Sequence, residues 1–233
     1  MLSRSKSIEA ENGVRNQFVR RVTDSGRLWV VAGEEGLARV ASQRWKGREV
    51  TLMWSQEAQA QRWASSVTSR PRIKELSTAE LLLDVLPALA TLKRFVGPDW
   101  GDEPVEPEVE ARDLAERLRL DAIAAFVRTV VKSGVIWMLE GIDGPGLLLS
   151  GSGHDRLVLP CWSRQQAAEA HLVGPFEELL ALAIPIDNFL SRTLPWLIEK
   201  NRLVAPEFFW GGGTVELEPA DLRHRLHPDL GGS

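Results

Sequence analysis

The 233-residue chain is long enough for one or two domains, has ordinary shares of apolar and charged residues, and carries a formal net charge of −4. That charge argues against a nucleic-acid or anionic-membrane surface, which needs clustered Lys and Arg. One cysteine, Cys161, excludes an intramolecular disulfide and fits a reducing compartment. No stretch approaches the roughly 20 apolar residues that span a bilayer. The opening MLSRSKSIEAENG has no apolar run after its basic residues, so it does not read as a secretory signal and a cytoplasmic location is expected.

The first predicted element is an amphipathic helix with Val14, Phe18, Val19 and Val22 at spacings of three and four. Ser25-Gly26 ends it, because glycine accepts the left-handed backbone that closes a helix. A strand follows over 28–31, apolar and β-branched. Turns at 33–36 and at Trp45-Lys46-Gly47 set off a second strand near 37–41 and a third from Glu49, which together make an antiparallel meander. In the third strand Glu49 and Thr51 alternate with Val50 and Leu52, the pattern of a strand with one wet face. A helix begins after Trp54, with Ser55 as its cap. Ser77-Thr78-Ala79-Glu80 opens the next helix as a capping box. That helix runs through Leu81, Leu82, Val85, Leu86 and Leu89, and Pro87 inside it removes a backbone hydrogen bond and bends or splits it. A short hairpin and a final helix at 110–118 close the series.

The whole series then returns. FVRRVTDSGRLWVV from Phe18 reappears as FVRTVVKSGVIWML from Phe126, an offset of 108 positions (126 less 18) that holds without a gap. Trp29 meets Trp137, Trp54-Ser55 meets Trp162-Ser163, Leu86-Pro87 meets Leu194-Pro195, and Pro98 meets Pro206. A period this long is a domain duplication, since solenoid repeats run about 20–50 residues. The copies are placed at 1–119 and 120–233, with the last helix of the first running nearly straight into the second. The fold class is α+β: two similar domains, each a small antiparallel sheet (three-strand meander plus a hairpin) packed with helices. In the second copy Leu157 to Cys161 is apolar on both faces, which predicts a more deeply covered sheet there. Ser163-Arg164-Gln165-Gln166 has the spacing of another capping box. The four matched tryptophans are expected in the cores.

The order of strand with Trp, turn, acidic-Gly-apolar-Ala, strand, apolar-Pro-x-Trp, helix, then a helix ending Leu-Pro-x-Leu resembles the bacterial family known as Domain of Unknown Function 2750. Trp29, Glu35, Gly36, Leu37 and Ala38 carry the resemblance in the first copy. In the second it rests on Leu159, Pro160, Cys161, Trp162, Phe189, Leu190, Leu194, Pro195 and the helix over 219–226. Leu52 departs from the pattern, where the family has Pro, and so does Pro145, where an apolar residue is usual. The resemblance implies an α+β architecture and no activity.

The chemistry-bearing residues form no recognised constellation. GIDGPG and GSGHDR lie between strands, so they read as turns; a phosphate cradle needs a helix N-terminus behind it. His224 and His227 share a helix face with no third ligand, His154 lies in a turn, and His171 replaces Trp63, so no metal and no cofactor is implied. Cys161 sits among apolar strand residues and reads as buried packing. Arg48 and Arg156, matched at the start of the third strands, could clamp a carboxylate or stack on an aromatic ring, or form a structural salt bridge. Asp99, Asp102, Glu103, Glu106, Glu108 and Glu110 make a run without Lys or Arg that would steer a basic partner. Phe208, Phe209 and Trp210 before Gly211–Gly213, with Trp100 at the matching place in the first copy, either contact a partner or fold back onto the core.

The expected function is a non-catalytic cytoplasmic protein, a protein-binding adaptor or partner-neutralising, immunity-like module, whose partner is another protein, possibly basic, and neither nucleic acid nor membrane. The alternative is a small-molecule sensor with a ligand in a Trp-lined cleft between the copies and Arg48 or Arg156 as counter-charge. A hydrolase is the remote third reading.

Overall fold

A computed structural model describes residues 4–34, 36–101, 106–151, 155–209 and 214–227, with side chains from Glu11 onward. Glu35, Asp102, Glu103, His154, Trp210 and Gly211–Gly213, singled out above, lie outside the described residues. Contacts divide the chain into Met1–Asp121 and Ala122–Ser233.

In the first unit, helix α1 (Arg4–Ser25) buries Phe18, Val19 and Val22. It ends at Gly26, whose φ of 75° is left-handed and whose N–H donates to the Val22 carbonyl at 2.9 Å. Strand β1 (Arg27–Gly33) turns into β2 (Gly36–Leu37) and also pairs with β4 (Glu49–Trp54), where Trp29 faces Trp54. β3 (Arg39–Ala41) completes the antiparallel meander against β4. Helix α2 (Glu57–Val67) buries Ala60 and Ala64, small residues that allow close approach to the sheet.

Two pairings escaped the sequence. β5 (Arg72–Ser77) lines the outer edge of β1, from Arg27 facing Ser77 to Ala32 facing Arg72. β6 (Phe95–Pro98) lies parallel to β4 and forms the closing hairpin with β7 (Val109–Glu110). β4 is buried on both faces after Glu49, and Thr51, expected to be wet, is 0% exposed. The alternation of polarity was misleading because β4 is a central strand of its sheet, and its parallel neighbour arrives from 45 positions away (Val96 less Thr51). Nor is the second copy's third strand more deeply covered: each of the two strands is buried at every position after its first.

The capping box at Ser77 and Glu80 is present in both directions. It opens a helix in three parts: α3 (Thr78–Glu80), a π-helical turn Leu81–Val85, and α4 (Leu86–Thr91). Pro87 lacks the N–H that an unbroken α-helix would use, and the widened turn just before it takes up the interruption. Helix α5 (Ala111–Ser133) then carries the chain into the second unit without a break, as expected.

The second unit repeats this plan register for register. β8 (Val135–Gly141) turns into β9 (Gly144–Pro145), and β10 (Leu148–Leu149) pairs with β11 (Leu157–Cys161). Helix α6 (Gln165–Glu169) follows, and β12 (Leu180–Pro185) lines the outer edge of β8. Next come α7 (Ile186–Asn188), a π turn Phe189–Thr193, and α8 (Leu194–Glu199) with Pro195. β13 (Leu203–Pro206) lies parallel to β11, and α9 (Pro219–Leu226) closes the unit. Phe126, Val130, Leu159, Cys161, Phe189, Leu194, Val204 and Leu222 form one core cluster. The matched tryptophans meet here too, Trp137 bridging Trp162. Trp54 and Trp162 are fully buried, and Trp29 and Trp137 are half-buried against the same clusters.

Candidate functional site

The densest matched constellation lies where β4 and β6 end together. Their parallel register sets Met53 beside Pro98, which brings Asp99, the next residue on one strand, within reach of Ser55, two residues on along the other. Asp99 turns back with a left-handed φ of 50°, and its N–H donates to the Met53 carbonyl at 2.8 Å. The Ser55 N–H and hydroxyl donate to the two Asp99 carboxylate oxygens at 2.6 and 2.7 Å. The second copy repeats this with Glu207, at a φ of 49°: the Ser163 N–H donates to its Oε1 at 3.1 Å and the Ser163 hydroxyl donates to the same oxygen. The indole N–H of Trp54 donates to the Trp100 carbonyl at 2.9 Å, and that of Trp162 to the Phe208 carbonyl at 2.8 Å.

Ser55 and Ser163 are therefore not helix caps, contrary to the sequence reading. The caps of α2 and α6 are Gln56 and Arg164, neither with a side-chain bond to the helix. Both serines are spent on a carboxylate that the sequence left in a loop. The missed signal was an acid at matching positions, 99 and 207, paired with a serine at matching positions, 55 and 163.

Burial pushes the Asp99 carboxyl above its usual range, partly offset by the Ser55 hydrogen bonds and by Arg21, whose Nη1 stands 3.8 Å away. Glu207 is raised by burial in the same way, against the Ser163 bonds and the Arg164 charge. The Cys161 thiol, fully buried, is pushed well up by desolvation and then by the Glu207 charge, which holds it as an unreactive thiol. A serine that donates to an acid hardly open to solvent is being held, not activated. The node ties the ends of two strands together.

An aromatic group packs on each buried tryptophan. In the first copy Trp63 lies 6.4 Å from both Trp54 and Trp100. In the second, His171 lies 4.9 Å from Trp162 and 5.8 Å from Phe208, and burial lowers the affinity of His171 for its proton. The two clusters are fitted by a linked exchange. A Cβ on Gly97 would stand 2.6 Å from the Trp100 indole nitrogen, so only glycine fits beside that tryptophan. The second copy has Ala205 beside the smaller Phe208.

The other singled-out residues are dispersed. Trp100 is buried and its indole N–H donates to the Pro107 carbonyl at 2.7 Å. Phe208 packs on the second-copy core, and the Phe209 N–H donates to the Thr214 hydroxyl at 3.2 Å. Arg156 forms a bidentate pair with Glu218, at 2.6 and 3.0 Å, and its Nε donates to the Asn201 carbonyl at 3.0 Å. Arg48 is exposed and, among the described residues, reaches the Lys93 carbonyl at 3.4 Å. Of the four described acids of the run, Glu110 is exposed and three turn inward: Asp99 holds Ser55, Glu106 accepts from the Gly101 N–H at 3.1 Å, and Glu108 accepts from the Ser42 hydroxyl and, at 2.7 Å, from the Gln43 N–H. Ser150, the Gly151 N–H and Glu216 repeat that last arrangement in the second copy. Among the described residues, no three His, Cys, Asp or Glu side chains gather as metal ligands, and no helix is long and apolar enough to cross a membrane.

Fold and nodes together define a duplicated α+β domain whose two copies share register, buried tryptophan and serine–carboxylate tie. The family described as a protein of unknown function, DUF2750, matches residues 15–118 and again residues 123–226. The chain belongs to this family and carries its domain twice. No curated protein matches the chain. Among solved structures, Anabaena Tic22, described with protein transport, is similar at 13% identity over 82% of this chain and 91% of its own, with a TM-score of 0.26. Tic22 from Plasmodium falciparum is similar at 8% identity over 73% of this chain and 84% of its own, with a TM-score of 0.24.

Proposed function

We propose that the chain is a non-catalytic protein-binding module whose second copy takes up an extended, basic-flanked peptide as an added strand beside β12. The open, apolar edge of β12 carries this reading. β12 pairs with β8 on one side, and among the described residues no strand pairs with its other side. The Ile186 N–H donates to the Gly134 carbonyl, while Trp137 of β8 bonds away from β12 to Trp162. Alternation then sets Leu180, Leu182 and Ile184 to bond with β8 and leaves Ala181 and Ala183 presenting N–H and C=O outward. Leu180 is 66% and Leu182 38% exposed, a costly display on a sheet edge that other proteins blunt with charge.

Charge favours a peptide over a second copy of the chain. Residues 165–191 contain Glu169, Glu177, Glu178 and Asp187 but no Lys or Arg. Antiparallel self-pairing about the midpoint of β12 would set Glu178 opposite Asp187, a repulsive pair. A strand with lysines at its ends meets acid at both ends instead, and strand addition supplies main-chain bonds with alternate side chains for selectivity.

The test is fluorescence anisotropy with a short labelled peptide of alternating Val and Thr between lysine pairs. Saturable binding is expected, weaker by about tenfold or more for the same peptide flanked by glutamates. Ala183→Pro, which removes an outward N–H at an edge position where proline is tolerated, should abolish it without lowering the melting temperature. The pair Leu180→Lys and Leu182→Lys gives a second route should the proline disturb folding. Unchanged binding by either folded variant sinks the reading, and so does a dimer in sedimentation that Ala183→Pro dissociates.

A further inference from the structure

One matched pair of residues has opposite surroundings in the two copies. In the second, Arg156 is closed by Glu218 through two hydrogen bonds. In the first, their counterparts Arg48 and Glu110 both line an open groove of about 320 Å³, and no ion pair joins them among the described residues. Lys93, Arg94 and Arg112 line the same groove, with Ala90 and Phe95 as its apolar wall. Arg94 stands 3.1 Å from the Glu49 carboxylate, which is also 3.2 Å from Arg39. Arg48, Lys93 and Arg112 are left around the groove with Glu110 as the only carboxylate in its lining. Three cations around one groove with a single carboxylate among them repel one another, and a bound anion relieves that repulsion.

The enrichment is specific to the first copy. Positions 93 and 112 read Asn201 and Ala220 in the second, so the copy that closed its arginine also lacks the two extra cations. A groove needed only for the fold would not require them, since the second unit folds to the same register without them. On a chain with a net charge of −4 this is a local region of the opposite sign, which concentrates anions at its mouth.

We propose that this groove of the first copy binds a small phosphate-bearing anion of two or more negative charges. Two guanidinium forks match the oxygens of a phosphate in pairs, and the lysine adds a point charge. A single carboxylate would leave most of the cationic charge unbalanced. Helix α5 begins at Ala111, in the groove wall, so its free N–H groups and dipole add to the same attraction. The site lies wholly within the first unit and is independent of the β12 edge.

The proposal is tested by calorimetric titration of the full chain with inorganic pyrophosphate at constant ionic strength. Saturable binding is expected. The double variant K93N/R112A installs what the second copy carries, so it should keep the melting temperature while weakening pyrophosphate by about tenfold or more. R48A should weaken it similarly, and R156A should leave it unchanged. Absence of saturable heat, equal affinity in K93N/R112A, or an equal loss in R156A overturns the assignment. Citrate binding as tightly as pyrophosphate overturns the choice of phosphate.

Discussion

The outer edge of the sheet is written differently in the two copies. β5 carries Arg72, Lys74 and Glu75, with Glu75 3.6 Å from Arg27 and Lys74 3.9 Å from Glu80. β12, at the same place in the same register, reads Leu-Ala-Leu-Ala-Ile-Pro. The basic groove shows the reverse: open and cationic in the first copy, closed by an ion pair in the second. The interior does not follow this divergence. Buried tryptophan, serine–carboxylate tie and π turn recur together. Duplication fixed the core, while each copy's rim was left to acquire its own surface chemistry.

That contrast can be broken most directly at the tryptophans. Trp54→Ala and Trp162→Ala should each cost about 3–5 kcal/mol in denaturant unfolding, as for a large core side chain. A cost confined to one of them would mean that the interiors are not equivalent. Gly97→Ala should cost about 1–3 kcal/mol through overpacking against Trp100. Adding Trp100→Phe, which copies the Ala205 and Phe208 of the second unit, should recover part of the loss, since the Leu52 side chain would still stand 2.8 Å from the new methyl group. A double variant no better than Gly97→Ala would refute the linked fit.

The serine–carboxylate ties give a pH signature. Asp99→Ala leaves the buried Ser55 N–H without an acceptor and should cost about 1–3 kcal/mol, and Glu207→Ala should cost a similar amount. Because burial raises both folded-state pKa values, the folded protein holds these protons more tightly than the unfolded chain. Their contribution is fully present below the unfolded pKa and is lost as pH rises through the folded one. The melting-temperature advantage of wild type over Asp99→Asn should therefore shrink as pH is raised from acid towards neutral, and a widening gap would contradict the burial-raised carboxyl. The smallest effect is expected at the rim. Arg156→Ala should cost only about 0.2–1 kcal/mol, as for a surface pair whose carboxylate stays open to solvent, and Arg48→Ala should cost less still.

The duplication, the amphipathic helices, the Ser77 capping box and the buried Cys161 were all legible in the residues. They rest on local spacing or on comparing one half of the chain with the other. What escaped depended on partners distant in sequence. β12 is made of Leu and Ala, good helix formers whose short apolar run has no period to distinguish strand from helix. β5 has four polar residues of six, and its full pairing with β1 makes it a strand. Ser55 looked like a cap because serine before a helix usually is one. Its real acceptor, Asp99, comes within reach only through the parallel pairing of β4 with β6.

The widened turn before Pro87 and Pro195 carries information about descent. A one-residue deletion there would restore an unbroken helix but rotate everything downstream by about 100°, swinging Leu86 and Leu89, or Leu194 and Leu197, out of the interior. Independent arrival at the same surplus residue in both halves would need the same improbable event twice. The single-copy ancestor therefore already bore this irregularity, and the gene doubling copied it along with the rest.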